Sequence, residues 1–406
     1  MKKLTFYRTK IFLILLLFVV VSQPISADPL EKLRNLVGSH DSVVVASPDG
    51  RVLFEKNAAK RLIPASTLKV LTAAAVLHIL GSNFRFVTEF YIDPQSNLKV
   101  KGYGDPLLIS EVLSTFGDAL SQKIGSFHDL VLDDSYFQLP INIPGVNQSF
   151  QPYDAPNGAL CVNFNTINFK RSSTGQFISA EPQTPLLPFV LPRIESSELH
   201  QERIILSHRN REATYYAGYL LRYFLAQSGI KSTGEITVGH VSKSSDRLLC
   251  KFYSPYSMED IIEKLLRFSN NFIANQMLIS AGAYRSGPPG TLSKGVEMVS
   301  AYLTTDLNLK TPTYVEGSGI SRKNRISAKD MLVVLDEFEP FHHLMRKNKR
   351  EYYKTGSLSG VTSRVGYIES DKGTRYKYVV FINTPRKTTH AAMRCIHSFI
   401  DNLMHR

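Results

Sequence analysis

The chain has 406 residues, a hydrophobic content of 43% and a formal net charge of +13. This length and composition indicate a globular protein of one large domain or two to three smaller ones, and they exclude a disordered or fibrous chain. The Lys and Arg residues are scattered and form no Arg-rich or aromatic run, so nucleic-acid binding is not expected, whereas peripheral contact with an anionic membrane or wall polymer suits the charge.

The first 27 residues predict a secretory signal peptide. Lys2 and Lys3 precede an apolar run at 11–21, and Pro24 and Ala27 follow it. A basic start, a short apolar run and a small residue are the signature of such a signal, and the run is shorter than the ~20 residues of a transmembrane helix. Cleavage after Ala27 predicts secretion across the inner membrane, into the periplasm or cell-wall space, and an uncleaved anchor is the open alternative.

The next stretch predicts a β-hairpin followed by a buried helix. Val-rich runs at 43–45 and 52–54 flank a Pro-Asp-Gly turn at 48–50. From Pro64 to Gly81 the residues favour a helix, and because the stretch is apolar nearly all round we expect that helix to be buried. The tetrad Ser66-Thr67-Leu68-Lys69 lies at its start.

This tetrad has the form S-x-x-K, which can carry nucleophilic chemistry. The i, i+3 spacing on a helix brings the Lys69 amine to the Ser66 hydroxyl. Burial favours the neutral amine, which can take the serine proton, and the free N–H groups of a helix start can stabilise an oxyanion. The alternative is a capping serine beside a surface lysine. A second S-x-x-K, Ser228 to Lys231, contains Gly229, which predicts a helix end and a turn.

From residue 85 onward the pattern changes to short strand candidates mixed with Pro-rich stretches, and Thr214 to Gln227 is the one strong helix there. We interpret this stretch as a β-rich insert of one or two small domains. The predicted division is a signal peptide at 1–27, the first part of the main domain at 28–84, the insert at 85–247 and the second part of the main domain at 248–406.

Helices return after the insert, and a second motif lies between two of them. Ser257 and Asp260 form a capping-box pattern at the start of a helix. That helix ends at Ser269-Asn270-Asn271, an S-x-N sequence, and the next begins near Phe272. Alone, an S-x-N is an ordinary helix-ending cap.

A third motif lies near the C-terminus. Residues 351–356, 363–368 and 375–383 predict successive antiparallel strands, and a helix over 388–405 follows them. Lys354-Thr355-Gly356, a K-T-G sequence, lies on the first of these strands. Glycine lets a ligand approach the strand backbone closely, and the N–H of Ser357 just beyond it is a candidate oxyanion donor. The alternative is an edge strand that happens to contain a glycine.

Cysteine and histidine give no sign of a metal or cofactor. Cys161, Cys250 and Cys395 form no short pair, and the eleven histidines show no metal-binding spacing. We expect the cysteines to be small buried hydrophobes, and a Cys161–Cys250 disulfide stays open for an oxidising compartment.

S-x-x-K, S-x-N and K-T-G in this order are the set described for β-lactamases and penicillin-binding proteins. Further matching stretches run over Gly102–Pro106, Asn157–Asn165 and Glu316–Arg322. With them, the chain resembles the D-alanyl-D-alanine carboxypeptidase/endopeptidase family of low-molecular-mass, class C penicillin-binding proteins (peptidase family S13). The long interval between Ser66 and Ser269 fits a family that inserts extra domains there. The fold implied is α/β: a transpeptidase-like domain, with an antiparallel sheet between helices, interrupted by the insert.

The resemblance implies a serine-type carboxypeptidase that trims peptidoglycan stem peptides through an acyl-enzyme, needs no cofactor or metal, and is inhibited covalently by β-lactams. It assigns catalytic roles to Ser66, Lys69, Ser269 and Asn271, and substrate binding to Lys354, Thr355 and Ser357. A β-lactamase or serine esterase of the same fold, and a non-catalytic wall-binding homologue, are the alternatives. Endopeptidase activity, the third residue of the stem peptide and the oligomeric state stay open.

The chain departs from the family at two positions. Glu316 stands where the family usually has Asp, and Asn270 where it often has Asp. Because Glu316 carries the same charge on a longer arm, a buried pairing at that position is expected to shift. Neither residue is expected to carry the acyl transfer itself.

Overall fold

The computed structural model describes residues 28–209, 211–310 and 312–404. The predicted signal peptide lies outside these residues. Among the helices of the described ranges, none is long and apolar enough to span a membrane.

The elements are numbered in chain order. The α-helices of the described residues are α1 (Pro29–Leu36), α2 (Leu68–Leu80), α3 (Ser110–Ser121), α4 (Leu191–Ser196), α5 (Glu212–Gln227), α6 (Met258–Phe268), α7 (Asn271–Ser286), α8 (Leu292–Ala301), α9 (Ala328–Phe338) and α10 (His390–Met404). The strands are β1 (Asp41–Ala46), β2 (Val52–Lys56), β3 (Arg61–Leu62), β4 (Arg85–Ile92), β5 (Leu98–Gly102), β6 (Ser126–Phe127), β7 (Leu130–Asp133), β8 (Thr166–Arg171), β9 (Phe177–Ser179), β10 (Gln201–Ile205), β11 (Lys231–Ser232), β12 (Ile236–Val238), β13 (Arg247–Ser257), β14 (Ile326–Ser327), β15 (Arg346–Asn348), β16 (Glu351–Leu358), β17 (Val361–Glu369) and β18 (Arg375–Ile382).

The largest sheet joins the two ends of the described chain. Its strands are all antiparallel and lie in the order β15-β16-β17-β18-β1-β2, which confirms the predicted hairpin and the three predicted C-terminal strands. Side chains alternate between its faces. Val43 and Val45 pack with α1 and α10, while Val44 faces the main core on the other side. Because both faces are covered, every residue of β1 is buried.

Helix α2 lies at the centre of the main core, packed by α6, α7 and α9. Its residues 68–77 are all buried, as the apolar sequence predicts, and Gly81 ends it with a φ of 80°. Its start differs from the prediction. A 3₁₀ turn, Ala65–Thr67, precedes α2, so Ser66 lies in that turn rather than within the α-helix.

Residues from β4 to β13 form a second sheet and a second hydrophobic core. The sheet has the order β12-β7-β5-β4-β13, and α3 and α5 pack together on one face of it. Helix α5 was predicted, but α3 was not, because Gly117 and several Ser and Thr residues weaken its helix pattern. A glycine is required there, since a Cβ at Gly117 would lie 1.9 Å from the Ser228 Oγ. The predicted boundaries at 85 and 247 are the first residues of β4 and β13, and the division into domains stays a prediction.

The cysteines form no disulfide: Cys161, Cys250 and Cys395 are all free. Cys161 is buried, as expected, and its sulfur accepts a hydrogen bond of 2.9 Å from the Asn165 side chain. Cys250 and Cys395 are only half-buried, so the expectation of burial is wrong for these two. The open question of a Cys161–Cys250 bridge is therefore answered against it.

The capping box at the start of α6 is confirmed, and it supports a stability prediction. The Ser257 Oγ accepts from the Asp260 backbone N–H, and the Asp260 carboxylate accepts from the Ser257 backbone N–H. We expect Ser257→Ala to lower the free energy of unfolding by about 1 kcal/mol, because it leaves an N–H at the helix start unpaired. Denaturant unfolding monitored by circular dichroism measures this. Ser114→Ala, on the exposed face of α3, is the control and should be neutral, and an equal loss in both variants would contradict the capping role.

Candidate active site

The backbone around Ser66 is held in an unfavourable conformation. Ala65, directly before it, has a φ of 49°, a left-handed value that costs an L-residue free energy. Gly319 packs against this turn, and a Cβ there would lie 2.0 Å from the Ala65 carbonyl oxygen. The half-buried Ser66 side chain lines a cleft of about 860 Å³. The turn therefore presents the hydroxyl to an open space large enough for a peptide.

The Lys69 amine contacts three acceptors and is fully buried. Its Nζ lies 3.0 Å from the Ser66 Oγ, 2.8 Å from the Asn271 Oδ1 and 2.7 Å from the Ser318 carbonyl oxygen. Burial holds the pKa of Lys69 well below its usual value, and the positive charge of Lys354 lowers it further, while Glu316 partly opposes them. A neutral amine has two N–H donors and one lone pair. Two of the three contacts can then be donated by Lys69, which leaves the lone pair for the Ser66 proton.

A second buried lysine lies beside the S-x-N motif. The Lys354 Nζ donates to the Ser269 Oγ and to the Thr355 carbonyl oxygen, each at 2.8 Å. Burial lowers the pKa of Lys354 to about 7, and the nearby charge of Arg346 adds to the shift. Ser269 itself has a φ of 57° at the end of α6. The site therefore has a hydroxyl next to an amine that gains and loses a proton near neutral pH.

Strand β16 lies close against the Ser66 turn, and Gly356 makes this possible. A Cβ at Gly356 would lie 2.6 Å from the Ser66 backbone nitrogen and 2.5 Å from the Ser363 Oγ. The Ser363 hydroxyl donates to the Pro64 carbonyl oxygen at 2.5 Å, which ties β17 to the same turn. Beyond Gly356, the exposed Ser357 lines the cleft. The glycine of the K-T-G sequence is therefore needed for close contact between β16 and the backbone of Ser66.

Asn271 is the first residue of α7 and links the site to the insert. Its Oδ1 accepts from Lys69, and its Nδ2 donates to the Tyr153 carbonyl oxygen at 3.2 Å. Tyr153, Gly145 and Asn147, all from the 85–247 stretch, line the same cleft as Ser66 and Ser357. Sequence reasoning missed this wall, because a backbone carbonyl has no residue-type signal.

Glu316 organises a loop instead of pairing with the lysine. It is fully buried, and its two carboxylate oxygens accept from the backbone N–H groups of Ser318, Gly319 and Ser321 and from the side chains of Asn275, Ser318 and Asn324. This loop presents the Ser318 carbonyl oxygen to Lys69. The stretch Glu316–Arg322 resembles the family in sequence, but the sequence does not predict its contact with Lys69. Asn270 caps α7 by accepting from the Ile273 N–H at 3.0 Å.

The structure brings the candidate site residues together. Direct hydrogen bonds join Ser66, Lys69 and Asn271 into one group, and Lys354 and Ser269 into a second. Thr355 and Ser357 follow Lys354 on β16. In the described ranges, no cluster of His, Cys, Asp or Glu has the arrangement of a metal site.

Comparison with known proteins relates the sequence of this chain to a family and its structure to a known fold. The model of the D-Ala-D-Ala carboxypeptidase 3 (S13) family matches residues 27–189 and 197–348. A D-alanyl-D-alanine carboxypeptidase from Actinomadura sp. (strain R39) is 25% identical over 82% of this chain and 75% of its own. The D-alanyl-D-alanine carboxypeptidase DacB from Haemophilus influenzae is 24% identical over 82% of this chain and 83% of its own.

Two solved structures share the fold. Penicillin-binding protein 4 from Haemophilus influenzae superposes with a TM-score of 0.74 at 21% identity, over 92% of this chain and 99% of that chain. A penicillin G-acylated predatory endopeptidase from Bdellovibrio bacteriovorus, in complex with an immunity protein, superposes with a TM-score of 0.52 at 14% identity, over 90% of this chain and 92% of that chain. These likenesses confirm the predicted α/β fold class.

The two buried lysines lead to a prediction about their protonation. We expect the Lys354 amine to titrate near pH 7 and the Lys69 amine to titrate well below its usual range, because both charges are desolvated. NMR of lysine side chains labelled with ¹⁵N and ¹³C measures both, with signals assigned from single substitutions. Lys251 is the control: its ion pair with Glu89 raises its pKa, so it should titrate above the ordinary value. A Lys354 amine that titrates with the surface lysines would contradict this account.

Proposed function

The chain belongs to the D-Ala-D-Ala carboxypeptidase 3 (S13) family, and from that premise we propose that Ser66 is the serine on which its acyl-enzyme forms. Membership of this family identifies the protein as a serine-type D-Ala-D-Ala carboxypeptidase, a hydrolase that β-lactams inhibit. The single observation that carries the assignment to Ser66 is its hydroxyl 3.0 Å from a buried lysine whose pKa is lowered by desolvation.

In the first step Ser66 is acylated. Lys69, neutral at the start, takes the hydroxyl proton as the Ser66 Oγ attacks the carbonyl carbon between the two D-alanines. The carbonyl oxygen becomes an oxyanion, which the backbone N–H groups of Ser66 and Ser357 stabilise. The C–N bond then breaks, and the Ser269 hydroxyl relays to the departing amine the proton that Lys69 took from Ser66, which leaves Lys69 neutral again. Lys354, hydrogen-bonded to Ser269, favours that relay because its pKa lies near 7.

In the second step water hydrolyses the ester. Lys69 takes a proton from the water, which attacks the acyl carbon, and Ser66 leaves with a proton returned by Lys69. The enzyme is regenerated with the same number of protons. No step needs a metal or a cofactor, because the charge that develops lies on one oxygen within reach of backbone N–H donors.

The substrate we propose is a peptidoglycan stem peptide that ends in D-Ala-D-Ala. The protonated Lys354 and the hydroxyl groups of Thr355 and Ser357 bind the terminal carboxylate. The Asn271 Nδ2, which donates to a backbone carbonyl in the free protein, binds the peptide backbone. Because this substrate lies outside the inner membrane, we propose that the protein acts in the periplasm or cell-wall space. We also retain the proposed division, with 28–84 and 248–406 as the catalytic domain and 85–247 as an insert that forms one wall of the cleft.

Replacing the nucleophile tests the assignment. We expect Ser66→Ala to reduce D-alanine release by at least about 10³-fold, because no other group can form the ester. The measurement is mass spectrometry of the products from defined muropeptides, together with the mass of the protein after incubation with penicillin G. Ser228→Ala, in another S-x-x-K sequence, is the matched control and should keep activity. Unchanged release by Ser66→Ala would end the catalytic proposal.

The same assay separates the open alternatives. A long-lived penicilloyl adduct fits a wall enzyme, whereas rapid release of hydrolysed drug fits a β-lactamase. Free D-alanine reports carboxypeptidase activity, and cleaved cross-links report endopeptidase activity.

Gly356→Ala tests whether β16 must lie against the nucleophile. The added methyl group would meet the Ser66 backbone nitrogen at 2.6 Å, so strand and turn must separate. We expect acylation by penicillin G to slow by about 10²-fold, since displacements near 1 Å have effects of that size. Stopped-flow kinetics measures the rate constant. Gly125→Ala, with no atom within 4 Å of its new Cβ, is the control. A normal acylation rate in Gly356→Ala would show that this close approach is not needed.

A further inference from the structure

Two buried amide side chains join the insert to α7. The Asn157 Nδ2 donates to the Phe272 carbonyl oxygen at 3.0 Å and to the Gln276 Oε1 at 2.9 Å. In return, the Gln276 Nε2 donates to the Gly158 carbonyl oxygen at 2.6 Å. Asn157 is 6% exposed and Gln276 is 0% exposed. This pair, which we call the amide clamp (Asn157 and Gln276), is therefore almost fully shielded from solvent.

The clamp allows only one arrangement of its amide groups. A buried donor or acceptor without a partner costs more free energy than a hydrogen bond contributes. If the Gln276 amide were rotated by half a turn, its oxygen would face the Gly158 carbonyl and its nitrogen would face the Asn157 nitrogen. Both contacts would then be repulsive. The insert is therefore fixed in position along α7, as well as held to it.

The clamp acts next to Asn271. Phe272, whose carbonyl accepts from Asn157, is the following residue, and Phe164 packs edge-on against its ring at 6.2 Å. Tyr153, four residues before Asn157, supplies the carbonyl that accepts from the Asn271 Nδ2. The segment 153–158 therefore contacts α7 at its first residue and again within the next two turns.

The Tyr153 carbonyl decides which end of the Asn271 amide faces Lys69. An asparagine amide can be rotated by half a turn at little steric cost, so its neighbours fix its orientation. With Nδ2 donating to the Tyr153 carbonyl, Oδ1 faces Lys69 and accepts a hydrogen bond from its amine. In the opposite orientation an N–H would face the amine and compete for the lone pair that must take the Ser66 proton.

We propose that Asn157 and Gln276 are positioning residues for acyl transfer, which hold the insert so that the Tyr153 carbonyl orients Asn271 toward Lys69. This inference rests on the proposed roles of Ser66, Lys69 and Asn271. It makes the position of segment 153–158 a requirement for acyl transfer, exerted through the Tyr153 backbone carbonyl.

Kinetics of two variants test the proposal. Asn157→Ala removes the donor, and Gln276→Met removes both polar ends but keeps the shape and the helix preference. We expect kcat and the rate constant of acylation by penicillin G to fall by about 10- to 100-fold in each, with KM changed by less than about threefold. Every folded chain should still be acylated once, only more slowly. If Asn157→Ala fails to fold, Gln276→Met decides alone.

A double-mutant comparison separates positioning from stability. Because the clamp acts through Asn271, adding Asn157→Ala to Asn271→Ala should cause no further loss beyond about twofold. Asn97→Ala is the matched control: the Asn97 side chain also makes two hydrogen bonds, to Asp93 and to the Asp129 N–H, but both lie within the insert. It should lower the unfolding temperature and leave kcat unchanged.

Three results would overturn the inference: normal kinetics in Gln276→Met, an additive loss in the double variant, or a smaller acylated fraction in which the remaining chains react at the normal rate. Activity retained by Ser66→Ala would instead overturn the proposed function on which the inference rests. The two failures are therefore distinguishable.

Discussion

The burial of the Lys69 amine is the constraint on which the site depends. Within the described chain, the hydrogen bonds of this amine go to neutral oxygens. Glu316 is the carboxylate whose charge acts on Lys69, but its oxygens accept hydrogen bonds from six other donors. A charged amine in such a place is costly, so burial lowers the pKa of Lys69 and favours its neutral form. Residues 68–77 of helix α2, Lys69 among them, are all buried, and the core around the helix keeps water from this amine. The loop around Glu316 contacts the amine through the Ser318 carbonyl, and Asn271, which the Tyr153 carbonyl holds, contacts it as well.

The catalytic geometry is built at the expense of local stability. Ala65 and Ser269 have left-handed backbone conformations, and both Lys69 and Lys354 are buried. Each of these features would be corrected in a protein selected for stability alone. They persist because the surrounding structure fixes them. Only glycine can occupy position 319, because a Cβ there would meet the Ala65 carbonyl oxygen. The Ser363 hydroxyl also holds this turn through its hydrogen bond to the Pro64 carbonyl oxygen.

Much of the fold and most of the site could be predicted, for identifiable reasons. The apolar run of α2, the capping box at Ser257 and the alternating C-terminal strands are local patterns, and the structure confirms them. The start of α2 was misplaced by a few residues because strain at Ala65 is a tertiary effect. Helix α3 was missed because its glycine serves a contact with Ser228, more than 100 residues away. The Tyr153 carbonyl and the Glu316 loop escaped prediction because backbone groups and distant partners leave no residue pattern.

The path of the chain into and out of the proposed insert has an evolutionary consequence. Strands β4 and β13 are antiparallel neighbours in the second sheet, and Arg85, the first residue of β4, pairs with Ser257, the last residue of β13. A segment whose two ends lie side by side can be gained or lost in one genetic event without moving the residues that flank it. Within such an appendage, substitutions that spare its contacts with α7 leave the reaction centre untouched. Related chains should therefore differ most in size and sequence far from that contact, and least along it.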